Sequence, residues 1–252
     1  MLLEDKVAVI YGAGGAIGGA VARAFAQEGA RVFATGRRLD GLGFAEAAEV
    51  DALDEGAIEE HLRAVVDAAG RVDISFNAIG IPNAGILGVP LAELDVEQFA
   101  LPLATYTTSY FLTARVAARH MIARRSGVIM TVTALHARTG IPLVGGYGPA
   151  MAAKEAMTRH LSAELAPHGV RVVGLRPQAI PETPAIRDAF EPRAKASGMS
   201  WEQWLEFLAG RTHPRRLMTL EEMAQMAAFM ASDRASGMTG TTVNLSMGSL
   251  DD

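Results

Sequence analysis

The sequence predicts a single α/β domain of 252 residues built on a doubly wound, seven-stranded parallel sheet. Two observations carry that expectation. Short β-branched runs alternate with longer segments of helical periodicity along the whole chain, and a glycine-rich turn stands between the first strand and the first helix. Half of the residues are hydrophobic and they are spread through the length, enough for one large core.

Each element follows from local pattern. Lys6–Tyr11 reads as the first strand, and Ala16–Glu28 as a helix with Ile17, Val21, Ala24, Phe25 and Glu28 at spacings of three and four. Gly29 ends it. Arg31–Thr35 is the second strand, and a short third begins or ends at Glu49–Val50. Asp54 caps a helix that runs through Ala69 and stops at Gly70. Asp73–Asn77 is the fourth strand. A long helix covers Val96–Arg125, with Pro102 at a kink or in its first turn. Gly127–Val132 is the fifth strand, Gly146–Ala166 a helix, Arg171–Leu175 the sixth strand and Thr242–Leu245 the seventh. Met223, Met226 and Met230 put a last helix against the core. Strand and helix in alternation require parallel pairing with right-handed crossovers. The stretch 180–212, with its prolines and two tryptophans, reads as a mobile flap with small helices over a ligand.

Composition excludes several function classes. The net charge is −5 and no Lys/Arg cluster tracks a phosphate backbone, so no nucleic-acid partner is expected. Cysteine is absent, which removes disulfides, thiolate metal sites and cysteine nucleophiles; no metal site is expected. The start, Met-Leu-Leu-Glu-Asp-Lys-Val, carries two acids and runs straight into a strand, unlike a signal peptide. No charge-free run of 18 apolar residues marks a membrane span. The expectation is a cytoplasmic protein with no membrane partner.

The first strand ends in Tyr11-Gly12-Ala13-Gly14-Gly15-Ala16-Ile17-Gly18. Such a turn lets backbone approach a pyrophosphate, and the following helix offers free N–H groups and a partial positive charge. In this strand–turn–helix setting the motif points to a Rossmann-type, dinucleotide-binding domain. The second strand ends at Thr35-Gly36-Arg37-Arg38. An acid here would bind the ribose hydroxyls and repel a 2′-phosphate. Arg37 and Arg38 instead match phosphate oxygens, so NADP(H) is favoured over NAD(H).

These residues, together with Asp51, Asn77-Ala78-Ile79-Gly80, Tyr147 at a helix start, Gly169-Val170-Arg171-Val172 leading to Pro177, and Thr239-Gly240-Thr241-Thr242-Val243-Asn244, resemble the short-chain dehydrogenase/reductase family over nearly the whole chain. The resemblance implies that Gly12, Gly14, Gly15, Ala16, Ile17 and Gly18 surround the pyrophosphate. It places Asp51 and Ala52 at the adenine, and Asn77, Ala78 and Gly80 along the cofactor. Pro177, Ile180 and Thr183 fall on the nicotinamide side. It also implies a homodimer or homotetramer, packed through the long helix and the helix after Tyr147.

The departures from the family pattern concern chemistry. Ala16 stands where a third glycine is usual. Only 13 residues separate Arg37 from Asp51, too few for a strand and a full helix, so the adenine-side edge should be trimmed. The family places a Ser 13 residues before the catalytic Tyr, and that position is Ala134; the Lys four residues after it is Met151. The Asn of the long helix aligns with Tyr106. In the family mechanism the Tyr passes a proton to the substrate oxygen while the Lys lowers its pKa. A cation about 5 Å away at an effective dielectric of about 20 is worth roughly 3 kcal/mol, or about two pKa units. Without it Tyr147 should stay near the ordinary value of about 10, a proton donor but a poor base.

Two residues are candidates for a compensating role. Lys154 stands seven after Tyr147, the Tyr-x6-Lys spacing of the related enoyl reductases; the alternative is a solvated helix lysine. His136 lies two beyond Ala134 and so can point back to the same side as an acid or an anion ligand. The sequence therefore supports three readings: an NADP(H)-linked oxidoreductase reducing a carbonyl or activated double bond of a small molecule, a catalytically silent dinucleotide binder, or an enoyl-reductase-like enzyme using Tyr147 and Lys154.

Overall fold

The computed structural model describes all residues except 38, 40, 83–85 and 252. It contains one seven-stranded, fully parallel sheet: β1 (Val7–Tyr11), β2 (Arg31–Thr35), β3 (Glu46–Ala48), β4 (Ile74–Asn77), β5 (Gly127–Val132), β6 (Val170–Pro177) and β7 (Thr241–Leu245). The strand order is β3-β2-β1-β4-β5-β6-β7. The order reverses at the β1/β4 junction, where Ala8 faces Ile74 and Tyr11 faces Asn77. In open α/β sheets a ligand crevice opens at the carboxyl ends of strands flanking that switch.

The two-residue period of the strands divides the core. Ala8 and Ile10 of β1 face one layer, where α1 (Ala16–Gln27) and α7 (Leu220–Ala231) bring Val21, Phe25, Met223, Ala227 and Met230. Val7, Val9 and Tyr11 face the other. There α2 (Glu55–Ala69) and α3 (Val96–Arg124) supply Ile58, Leu62, Tyr110, Val116 and Met121. Met223 and Met230 are fully buried and Met226 partly so, as the helical spacing predicts.

The boundaries of α2 are those of its signals. The Asp54 carboxylate accepts from Gly56 and Ala57 N–H at 2.8 and 3.2 Å, and Gly70 closes the helix in the left-handed region. Two expectations need correction. The third strand is Glu46–Ala48, ending before Glu49. It is a short edge strand, mostly exposed and without β-branched residues, so its pairing to β2 and not its composition defines it. Pro102 lies inside α3, beyond the first turn. No helix occurs between β2 and β3 among the described residues, which is the trimmed edge the residue count predicts.

The remaining helices are α4 (Tyr147–Leu165), α5 (Pro184–Ala196) and α6 (Trp201–Gly210). The last two fill the segment after β6 that reads as a flap. Ser200 and Gln203 form a reciprocal cap on α6, and Trp204 packs against Phe207 and Phe190 at centroid distances of 5.4 and 6.2 Å. Among the described residues no helix is long and apolar enough to cross a membrane.

Candidate functional site

The glycine turn is built by close contact. Gly12 has φ +82°, and a Cβ on it would lie 2.6 Å from the Ala78 carbonyl oxygen. Any side chain there is strained by the backbone and also collides with β4's continuation. Gly12 and Ala13 N–H both donate to Thr35 O at 2.9 Å, tying the turn to the end of β2. A Cβ on Gly18 would strike the Gly12 carbonyl, so that glycine lets α1 sit against the turn. Gly14 and Gly15 are exposed above the helix start, and Ala16 and Ile17 are half-buried. No side chain caps α1 and no acid occupies its first turn, which leaves its N–H groups open to an anion.

Asn77 ends β4 beside this turn. Its Nδ2 donates to Thr113 Oγ1 on α3 at 3.1 Å, while its Oδ1 is buried without a partner. Thr113 is a second support that the sequence does not single out; its hydroxyl is itself held by Ser109 O at 2.8 Å. Ala78 is half-buried and Gly80 exposed. Asp51 is exposed and accepts from Leu53 N–H at 2.9 Å, and Ala52 is buried. Arg37 is exposed just beyond β2; Arg38 lies outside the described residues. Pro177 closes β6, and Ile180 and Thr183 are buried after it, Thr183 Oγ1 donating to Ile180 O at 2.8 Å.

The second half of the site lies beyond β5 and at the start of α4. Gly146 precedes Tyr147, and a Cβ on it would fall on the Phe99 carbonyl of α3. Glycine there lets α4 start hard against α3, which brings Tyr147 to Tyr106 with ring centroids 5.8 Å apart, edge to face. His136 sits in the short 3-10 turn Leu135–Ala137 and meets Tyr147 at 5.4 Å in the same geometry. The two-residue step from Ala134 does bring His136 to the tyrosine. Ala134, Ala137, Ile81 and Leu103 pack around Tyr106, Ala150 and Met151. Met151, which the family resemblance sets in the place of the usual lysine, is a buried apolar side chain.

This apolar setting controls protonation. Burial, reinforced by the neighbouring Tyr106, pushes the Tyr147 phenol well above its ordinary value of 10. The expectation of an unshifted tyrosine is therefore corrected: desolvation raises it above the ordinary value. Burial and the charge of Arg193 push His136 down to about 4, so its imidazole is neutral at pH 7. Its Nδ1 is buried and has no partner. Tyr106 accepts from the Ile81 N–H at 3.4 Å, and burial raises its own pKa.

Lys154 is not a solvated helix lysine. It is fully buried, and its Nζ donates to the Val132 carbonyl at 2.8 Å. The ammonium lies over the rings of Tyr106 and Tyr110, at 5.6 and 5.7 Å from their centroids. Among the described residues its ring partners are Tyr106 and Tyr110. Burial lowers its pKa to about 7. Next to it Glu155 forms a buried pair with Arg176 of β6, Nε–Oε1 2.7 Å and Nη2–Oε2 3.0 Å, and accepts from Thr133 Oγ1 at 3.1 Å. This fork fixes α4 to β5 and β6 behind the site.

A sequence-family profile described as enoyl-(acyl carrier protein) reductase matches residues 12–249. The chain belongs to the short-chain dehydrogenase/reductase family. It is 31% identical over 252 residues to the uncharacterized oxidoreductase YxbG of Bacillus subtilis, covering 96% of this chain and 89% of that protein. Among solved structures it is similar to a single-substitution variant of actinorhodin polyketide ketoreductase with NADPH, at TM-score 0.87 and 26% identity, with 96% of each chain covered. It is also similar to an NAD+-bound xylitol dehydrogenase, at TM-score 0.86 and 25% identity, covering 96% of this chain and 98% of that one. The activity class is therefore that of a short-chain dehydrogenase/reductase-type oxidoreductase, and its structural neighbours bind nicotinamide dinucleotides of both kinds.

Proposed function

We propose that the chain binds NADP(H) in preference to NAD(H) and reduces a carbonyl or an activated double bond of a small molecule, with Tyr147 as proton donor. The observation that carries this is the pairing of a sterically complete dinucleotide cradle with a phenol that is held protonated. Gly12 and Gly18 admit no Cβ, α1 opens on the turn uncapped, and the buried Asn77 Oδ1 lacks a partner. These features fit the phosphates and the ring end of a dinucleotide. Gly14, Gly15, Ala16 and Ile17 would border the pyrophosphate, Asp51 and Ala52 the adenine, and Ala78 and Gly80 the middle of the cofactor. Pro177, Ile180 and Thr183 would border the nicotinamide. Arg37, with Arg38, would meet the 2′-phosphate that distinguishes NADP(H).

A bound nicotinamide would supply the hydride. Tyr147 then has one task, to give its proton to the oxygen that becomes an alkoxide. A phenol with a raised pKa is a weak acid, but an alkoxide is a base of about the strength of hydroxide, with a conjugate acid near 15.7 as for water, so the transfer runs downhill. The reverse reaction needs a phenolate, which the apolar walls of Met151, Ala150 and Tyr106 disfavour. His136 holds the tyrosine ring and offers a neutral imidazole beside it. Lys154 acts as a positioning residue through Tyr106, and not as a direct partner of Tyr147. The segment 180–212 closes over the substrate.

A second reading, a silent dinucleotide-binding homologue, draws on the same apolar filling at Ala134 and Met151. Calorimetry with NADPH and NADH, followed by NADPH oxidation with a panel of ketones, aldehydes and conjugated enones, separates the two. Tighter NADPH binding with turnover supports the reductase; tight binding without turnover supports the silent binder. We also infer a homodimer or homotetramer, since Val96, Leu101 and Phe111 of α3 are 78%, 49% and 44% exposed on the isolated chain. A monomeric mass by light scattering at micromolar concentration would contradict it.

A further inference from the structure

The flap helix α5 carries cations of two kinds. Arg187 and Lys195 both turn to Glu191, at 3.5 and 3.7 Å. Arg193 does not. Its Nη2 donates to the Pro142 carbonyl at 3.0 Å, and its guanidinium lies over the Phe190 ring at 5.8 Å. Pro142 belongs to the loop between β5 and α4, the same loop that holds His136 against Tyr147. Arg193 is half-covered and has no carboxylate within ion-pairing distance among the described residues. A guanidinium has five N–H donors in a fixed fork, and Pro142 takes one. The loop that Arg193 grips also carries His136, whose Nδ1 is buried and unpartnered among the described residues.

A half-covered guanidinium with a free donor edge and no carboxylate partner among the described residues suits a planar or tetrahedral anion. We propose that Arg193 is the recognition point for an anionic group, a carboxylate or a phosphate monoester, carried by the substrate whose oxo group meets Tyr147. This deepens the reductase reading and rests on it for the identity of the reacting group. The anion would take the free edge of the Arg193 fork, at the loop whose His136 packs on the tyrosine. The charge of Arg193 already reaches this imidazole, since it helps to depress the pKa of His136. Placing the cation on the flap and its anchor on the β5–α4 loop also means that an anion would bind where the two segments meet. Neutral oxo compounds would lack that contact and bind more weakly.

The test is calorimetric titration of the protein, with and without NADPH, using two matched pairs of probes: pyruvate against methyl pyruvate, and dihydroxyacetone phosphate against dihydroxyacetone. At least one anion is expected to bind tenfold or more tightly than its neutral partner, and the pair showing the larger ratio distinguishes carboxylate from phosphate. Arg193→Met should erase that ratio, a loss of about 10- to 100-fold for the anion alone. Arg193→Lys, which keeps the charge and a donor for Pro142, should retain part of it. Equal binding of charged and neutral probes would overturn the proposal. So would an equal loss for both in Arg193→Met, which would make the residue a structural clasp, and so would absence of anion binding at millimolar concentration. NADPH titrations of the same samples keep the two readings apart. An anion preference without NADPH binding would refute the reductase and leave the anion site standing. NADPH binding and turnover of neutral ketones without anion preference would do the opposite.

Discussion

The two halves of the site obey different physical constraints. The proposed cofactor half, at the ends of β1, β2 and β4, is defined by what must be absent: a side chain on Gly12 or Gly18 would collide with backbone. The proposed catalytic half, beyond β5 and at the start of α4, is defined by what lines it: Ala134 and Met151 stand in an apolar cluster with Tyr106 and Tyr147. Steric constraints leave little room for drift, because backbone cannot move aside. Electrostatic constraints can be rewritten by one or two substitutions, which change what a retained tyrosine is able to do.

The largest effect expected from this contrast is Tyr147→Phe. It should lower reduction by about 10²- to 10⁴-fold, with NADPH affinity unchanged. Steady-state rates and calorimetry on the same preparation check it; parallel loss of binding and rate would merge the two halves. Glu155→Ala tests the support behind the catalytic half. It removes the carboxylate that pairs with Arg176, a side chain 3% exposed, and should cost about 3–5 kcal/mol of stability by urea denaturation. A loss below about 1 kcal/mol would show that the fork is not what holds α4 in place. Arg37→Ala should weaken NADPH about tenfold and leave NADH unchanged, since only the phosphorylated cofactor uses that charge. Equal effects on both cofactors would refute the preference.

A further effect concerns Lys154 and is read from pH. Burial lowers its pKa from 10.5 to about 7, so between those values the unfolded chain holds a proton that the folded chain has released. Stability contributed by this group therefore rises as pH rises through that window, by at most about 2 kcal/mol from pH 7 to 9. The buried tyrosines Tyr11 and Tyr110, whose pKa values are raised, act in the opposite sense above pH 10, outside that range. Urea midpoints at pH 7 and 9 should rise more for the parent than for Lys154→Met. Identical slopes would mean that the ammonium is not desolvated.

What the sequence shows and what it hides follow the same division. The cap at Asp54, the stop at Gly70 and the glycine turn are local signals, and the structure keeps all three. The step from Ala134 to His136 is readable by its count, although a 3-10 turn at Leu135–Ala137, and not continued strand, brings the imidazole to Tyr147. Lys154-Glu155 reads in sequence like a solvated pair on an alanine-rich helix. Its burial depends on Arg176, 21 residues beyond Glu155, and on two rings of α3, none of which is local. The edge strand β3 escapes because pairing with Phe33–Thr35 creates it, not its own residues. Arg193 reads as one more charge on a polar helix, and only its contact with Pro142 ties it to the loop that carries His136.

The central claim is that Tyr147 gives protons readily and accepts them poorly. The direct measurement is a pH–rate profile in both directions, NADPH-driven reduction of a ketone that turns over and NADP+-driven oxidation of the corresponding alcohol, from pH 6 to 10. Reduction should be measurable and flat from pH 6 to 9. Oxidation should be very slow at pH 7 and still climbing at pH 10 without a plateau, because burial and Tyr106 hold the phenol protonated throughout. Brisk oxidation at pH 7, or a plateau near pH 7, would contradict the account and identify an unrecognised base, with His136 and Lys154 the first residues to replace.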